Sequence, residues 1–183
     1  MNEITQSLEN FQDVDWENWL PIQRATLCFV VRDTEVLLIK KKRGLGKGKI
    51  NGPGGRIDPG ETPLQCAIRE VEEELRVTPT ELSYSGRLNF QFVDGLALRC
   101  HVFRAEDCSG TARETDEAVP MWTPIEQIPF DRMWQDDRLW VPMMLERTLF
   151  DGRFLFDDDA MLGHEIETRP EALGLIAGHG NKV

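Results

Sequence analysis

Two apolar runs, residues 24–31 (R-A-T-L-C-F-V-V) and 35–41 (E-V-L-L-I-K-K), are rich in strand-forming residues and flank the polar break Arg32-Asp33-Thr34. This pattern predicts a β-hairpin. Ahead of it, Ile4, Leu8, Phe11, Val14, Trp16, Trp19 and Leu20 recur among acids at loose helical spacing, and Pro21 ends the run. Residues 1–22 are therefore expected to form a helix or an ordered arm packed on the domain. Residues 44–55 hold six glycines and a proline and read as loop. A helix follows with a strong start: Thr62 as N-cap, Pro63 at the first helical position and Gln65 completing a T-x-x-Q capping box. Its apolar stripe is Leu64, Ala67, Ile68, Val71 and Leu75, spaced to pack on a sheet.

Further strands are predicted at 83–93, 96–104 and 119–123, with Asp94-Gly95 turning between the first two. A second helix is expected over 137–149 despite Pro142, then short strands near 153–156 and 161–167. The order implies a mixed α/β domain over residues 23–169 with a mostly antiparallel sheet, followed by a loose tail at 170–183. No internal repeat and no low-complexity tract interrupts it.

The 183 residues suffice for one full hydrophobic core. A formal charge of -11 argues against a nucleic-acid polymer or an anionic membrane as partner. That charge is uneven: residues 1–20 carry five acids and no base, whereas residues 40–49 carry Lys40, Lys41, Lys42, Arg43, Lys47 and Lys49 and no acid. The four cysteines have no C-x-x-C spacing and sit mostly in apolar patterns, which predicts reduced, buried thiols. With neither a signal-peptide pattern nor a long apolar run, a soluble cytoplasmic protein is expected, as a monomer or weak homodimer.

The chemistry concentrates between Gly55 and Glu74. Glu70, Glu73 and Glu74 stand at i, i+3 and i+4, on one helix face, where hard cations can bridge them. Like charges at Glu70 and Glu74 cost a few tenths of a kcal/mol in an isolated helix. Coordination turns that repulsion into binding. Glu72 points elsewhere on the wheel and is expected to pair with Arg76.

This string resembles the signature of the Nudix hydrolases, G-x5-E-x7-R-E-U-x-E-E-x-G-U with U aliphatic. Gly55, Glu61, Arg69, Glu70, Val71, Glu73, Glu74 and Val77 occupy its positions. The resemblance implies an α/β/α sandwich whose loop and helix bind Mg²⁺, with Mn²⁺ as a substitute, and a diphosphate. It assigns metal binding or water activation to Glu70, Glu73 and Glu74, a further ligand to the Gly54 carbonyl, and carboxylate positioning to Arg69. Arg76 departs from the pattern, standing where the family has a glycine in left-handed geometry.

Three further strings, K-K-R-G-L-G-K-G-K-I-N-G-P-G-G, M-W-Q-D-D-R-L-W and I-P-F-D, resemble one group of that family, the animal-type oxidised purine nucleoside triphosphatases. Within that group Thr26, Lys41, Asn51, Pro53, Gly55 and Arg56 would line the nucleotide pocket, with Phe90 and Phe92 as apolar walls. Trp134 would stack on the purine, Asp136 and Asp137 would read its edge, and Glu117 would lie near the metal. Adjacent carboxyls in an apolar pocket resist double ionisation, so one can donate a proton while its neighbour accepts one. Pro53 and Leu45 depart from the group, which commonly carries aromatics there. The implied reaction is Mg²⁺-dependent hydrolysis of 8-oxo-dGTP and 2-oxo-dATP to the monophosphate and pyrophosphate. The alternatives are a Nudix hydrolase of a plain, methylated or dinucleoside polyphosphate substrate, or a nucleotide-binding sensor without turnover.

Overall fold

The computed structural model describes residues 8–169, so the expectations for Ile4 and for the tail at 170–183 fall outside it. Eight strands and two helices follow one another: β1 Gln23–Arg32, β2 Glu35–Lys41, β3 Ile50–Asn51, α1 Pro63–Leu75, β4 Thr78–Phe92, β5 Ala97–Ser109, β6 Ala118–Pro124, α2 Asp137–Leu145, β7 Leu149–Asp157 and β8 Ala160–Arg169. The strands order as β3-β2-β1-β5-β4-β7-β8, with β6 on the other side of β2. Only β1–β5 and β4–β7 pair in parallel; the other five pairings are antiparallel. A helix covers each side, which is the α/β/α sandwich with a mixed, largely antiparallel sheet. Among the described residues no helix is long and apolar enough to cross a membrane.

Two cores result from the alternation of strand side chains. Cys28, Val30, Leu37, Ile39 and Phe103 pack under Ala67, Val71 and Leu75 of α1. Phe29, Leu88, Val102, Phe150 and Phe154 pack against Trp140, Val141 and Met144 of α2. From Cys28 to Val31 β1 is buried on both faces, and there its sequence is apolar without alternation. Phe29 and Trp140 meet edge to face at 5.7 Å.

Most predicted elements stand near their expected limits, and the differences have local causes. The loop at 44–55 contains β3, because Ile50 and Asn51 register against Lys40 and Ile39. β4 and β5 extend well beyond 83–93 and 96–104, since their pairing continues past a bulge at Tyr84/Gly86 to Thr78↔Ser109. α2 stops at Leu145, short of 149, as Arg147 turns to φ 60° and Phe150 joins the sheet opposite Gly86. Leu64 is exposed, and Cys66 takes its place on the buried face of α1. Glu72 accepts a hydrogen bond from Thr78 Oγ1 at 2.7 Å rather than pairing with Arg76.

The described part of the N-terminal segment is an arm with one short 3₁₀ turn, Phe11–Asp13. Phe11, Trp16 and Trp19 pack in sequence with tilted rings, and Trp19 Nε1 donates to Gln91 Oε1 at 2.9 Å.

The N-terminus of α1 carries both hydrogen bonds of the capping box, Gln65 N–H to Thr62 Oγ1 and Thr62 N–H to Gln65 Oε1. Its C-terminus closes on Arg76, held at φ 62°, ψ 29°. A residue with a Cβ pays roughly 1–2 kcal/mol for that geometry. Glycine avoids the strain and loses some of the gain to unfolded-chain entropy. Arg76→Gly is therefore expected to stabilise the protein by up to about 1 kcal/mol in chemical denaturation; a destabilised variant would contradict this account.

Candidate active site

The loop from β3 into α1 lies flat on the sheet because two of its residues lack side chains. A Cβ on Gly54 would sit 2.0 Å from the Thr26 carbonyl oxygen, and one on Gly55 would sit 2.5 Å from the Glu70 carboxylate. Backbone bonds fasten the loop to β1: Thr26 N–H to Gly55 O and Cys28 N–H to Pro53 O, both 2.9 Å. Pro53 is thus a buried packing residue of the loop and does not line the cavity described below.

Arg69 then ties the loop to the helix. Its Nε and Nη2 fork onto the two oxygens of Glu61 at 2.8 and 2.9 Å. Nη1 donates to Glu70 Oε1 at 2.7 Å and to Glu73 Oε2 at 3.2 Å, and Nη2 also donates to the Arg56 carbonyl at 3.0 Å. The fork holds the Glu61 carboxyl down at about 2.

Beyond this knot, Glu74 is 2 % exposed. Its Oε2 accepts the Gly54 N–H at 2.9 Å, and Lys41 Nζ stands 4.0 Å from Oε1. That partial compensation does not offset desolvation, and burial pushes the Glu74 carboxyl up to about 7. Burial also raises Glu70, against the pull of Arg69.

Glu70, Glu74 and Glu117 line one end of a cavity of about 870 Å³, together with Lys41, Gly54, Gly55 and Arg56. Buried carboxylates that burial itself drives towards protonation suit a hard divalent cation, which their oxygens would bind while their ionised forms are stabilised. Among the described residues no three such side chains stand close enough to enclose an ion as they are. Glu117 is paired with Arg43, and Glu73 is exposed on the Arg69 side, outside the cavity.

The other end of the cavity is apolar. Phe90, Phe92, Phe156 and Trp134 wall it, with Trp134 edge-on to Phe156 at 5.6 Å and to Phe92 at 6.2 Å. Asp136 and Asp137, each 2 % exposed, face this end. Asp137 Oδ2 accepts the Trp134 N–H at 2.9 Å, and Asp136 Oδ2 accepts Trp140 Nε1 at 2.8 Å. Asp136 Oδ1 is buried without a partner among the described residues. Burial raises both carboxyls, and the charge of Asp136 raises Asp137 further. Behind Trp134, Lys49 Nζ stands 4.9 Å from the indole ring and 2.9 Å from Asp159 Oδ2 in the β7–β8 turn.

Thr26 and Asn51 also line the cavity between its two ends. Thr26 Oγ1 contacts Cys66 Sγ at 3.3 Å, and Asn51 Oδ1 accepts the Gly52 N–H. Of the residues singled out in the sequence, only Pro53, Arg69 and Glu73 are absent from the lining. The structure adds Leu27, Cys100, Phe156, Arg43 and Trp140. Trp140 was legible in principle, four residues after Asp136 on a helix. Leu27 and Cys100 were not, because their facing depends on strand register.

Residues 21–144 match the NUDIX domain. The chain belongs to the NUDIX family. It is 43 % identical over 144 residues to an oxidized purine nucleoside triphosphate hydrolase of Danio rerio, covering 78 % of this chain and 92 % of that protein. The protein of the same name from Mus musculus is 39 % identical over 143 residues, covering 77 % and 92 %. Among solved structures, a mutator MutT protein from Bacillus halodurans superposes with a TM-score of 0.71 at 25 % identity, covering 80 % of this chain and 98 % of that one.

The raised aspartates carry a stability signature. A native carboxyl that holds its proton above the unfolded midpoint of about 3.9 stabilises the fold fully below that midpoint. The contribution is lost as pH rises through the folded midpoints. Asp137→Asn keeps an acceptor for the Trp134 N–H and removes this loss. Its melting temperature relative to wild type is expected to increase as pH rises above the unfolded midpoint of about 3.9; a difference independent of pH would count against the assignment.

Proposed function

We propose that the protein hydrolyses oxidised purine nucleoside triphosphates, with water, to the nucleoside monophosphate and pyrophosphate. The observation that carries the reading is the single cavity with two unlike ends: carboxylates and cations at one, aromatic rings and two buried aspartates at the other. The relatives named for this activity match over nearly their whole length.

At the carboxylate end Glu70, Glu74 and Glu117, with Glu73 once released from Arg69, would hold Mg²⁺. The ion would neutralise charge on the phosphate oxygens and on the leaving group. Lys41, Arg43 and Arg56 attract the triphosphate. Arg69 keeps Glu70 oriented through its hold on Glu61 and the Arg56 carbonyl. A carboxylate of this group takes the proton from the attacking water.

At the apolar end Trp134 stacks on the purine and Phe90 and Phe92 exclude water. Oxidation at C8 converts purine N7 from an acceptor into an N–H donor. An aspartate pair in which one carboxyl is protonated offers a donor and an acceptor side by side, and Asp136 Oδ1 is the oxygen without a partner. Exchange of that proton between the two lets one pocket accept both 8-oxo-guanine and 2-oxo-adenine.

Two measurements test this. Glu73 is exposed, so Glu73→Gln is expected to leave stability within about 0.5 kcal/mol of wild type while lowering kcat at least about a hundredfold. Turnover like that of wild type would remove Glu73 from the chemistry. The ratio of kcat/KM for 8-oxo-dGTP over dGTP, followed by pyrophosphate release, is expected to exceed about ten, or 1.4 kcal/mol of discrimination. A ratio near one with good turnover would keep the hydrolysis and point to plain, methylated or dinucleoside polyphosphate substrates.

A further inference from the structure

Four basic residues meet on the sheet face that looks away from the cavity. β4 alternates strictly here: Leu88, Phe90 and Phe92 turn inward, leaving Arg87, Asn89 and Gln91 on the opposite face. On the neighbouring strands Arg24 of β1 stands opposite Arg99 of β5, and His101 of β5 stands opposite Arg87 of β4. Like charges in direct cross-strand register work against pairing by a few tenths of a kcal/mol to about 1 kcal/mol. The arrangement is a local excess of positive charge in a protein of formal charge -11.

The compensation within the fold is incomplete. Arg87 pairs with Asp151, but that carboxylate also accepts from Asn89 Nδ2 and from Arg169. Arg99 Nε donates to the neutral Asn89 Oδ1 at 2.8 Å, and its guanidinium lies 5.3 Å from the Trp19 ring. Arg24 makes no ion pair among the described residues. Two nitrogens, His101 Nε2 and Arg87 Nε, are buried with no hydrogen-bond partner among those residues. Unsatisfied buried polar atoms are rare, and each calls for a cause. On the other side of the imidazole, Tyr84 Oη lies 3.5 Å from His101 Nδ1.

The electrostatics agree with the geometry. Burial, followed by the charges of Arg24, Arg99 and Arg87, pushes the His101 imidazole down to about 4. Burial and the same two neighbours, Arg87 and Arg24, lower Arg99. Guanidiniums that disfavour one another's charge are stabilised by an anion able to accept from several at once, and the planar fork of arginine matches phosphate oxygens.

We propose that the Arg24–Arg87–Arg99–His101 patch binds a multiply charged phosphate oxyanion, flanked by Trp19 and Tyr84. Three guanidiniums against one shared carboxylate favour a diphosphate over a singly charged anion. The group has two sources: free pyrophosphate, or the phosphate tail of an intact nucleotide whose base lies against one of the flanking rings. The patch stands on its own geometry and does not depend on the base preference of the cavity.

The test follows the imidazole of His101 by NMR in the full chain, with a chelator present and His101→Gln used to assign its signal among the three histidines. Pyrophosphate and ADP are titrated separately at constant ionic strength. Saturable movement of the His101 signal is expected, with its titration midpoint rising by at least about one pH unit as the anion offsets the arginines. Affinity should fall at least about tenfold in Arg24→Gln/Arg99→Gln, with nucleotide hydrolysis unchanged. Equal affinity for both probes would assign recognition to the diphosphate alone, and tighter ADP binding would assign it to a nucleotide tail. A His101 signal that stays still while Trp134 responds would overturn the proposal, as would an equal response to chloride. The wild-type titration stands alone if the double variant does not fold, and Arg24→Gln, at an exposed position, then serves as the variant.

Discussion

The arrangement of this molecule turns on one guanidinium. Arg69 lies where the glycine loop meets the acidic helix, and its donors engage Glu61, Glu70, Glu73 and the Arg56 carbonyl. Without it the loop would keep only the Gly54 and Cys66 bonds to α1, and Glu70 and Glu73 would lose their shared cation. A lysine offers a point charge at that place and cannot span two oxygens of Glu61 while reaching Glu70. The loop, in turn, can lie against β1 only because Gly54 and Gly55 leave room for the Thr26 carbonyl and the Glu70 carboxylate. Glycine approach and arginine fork are therefore one device.

The same physical problem, acids taken out of water, is resolved differently at the two ends of the cavity. At the Glu74 end a neighbouring N–H and a distant lysine leave negative charge that a cation would complete. At the Asp136–Asp137 end aromatic rings and indole and amide donors surround two carboxyls, and the pair is driven to keep a proton. One end is lined by carboxylates and cations, the other by aromatic rings and two buried carboxyls. The scaffold joins them because β1 and β5 run through both cores, and the cavity wall draws on these strands together with β4, β7, α1 and α2.

Much of this was legible in the chain, for reasons that are local. The capping box at Thr62 and Gln65, the turn at Asp94-Gly95 and the spacing of Glu70, Glu73 and Glu74 depend on neighbours a few residues away, and the structure contains each of them. β3 has no signature in the chain, because two residues among glycines carry no periodic signal. The end of α2 is not legible in the chain, because Leu149 and Phe150 are apolar whether they continue a helix or enter a strand. The N-terminal segment has helical spacing, yet its Trp19 indole is held by contacts with β4 and β5, and its described part stays an arm.

The sequence by itself determined the order of elements, the acidic helix face with its arginine, and the pairing of a glycine loop with that helix, because short-range geometry and periodicity decide these. Only the tertiary structure decided that Glu74 is buried while Glu73 faces solvent, since burial depends on what packs opposite a helix face. Strand register likewise decided that Phe156 and Cys100 join the cavity wall, that Pro53 serves the loop, and that Arg24, Arg87, Arg99 and His101, scattered over 78 positions of the chain, share one surface. Cross-strand neighbours are fixed by hydrogen-bond registry between segments far apart in sequence, and no local pattern encodes it.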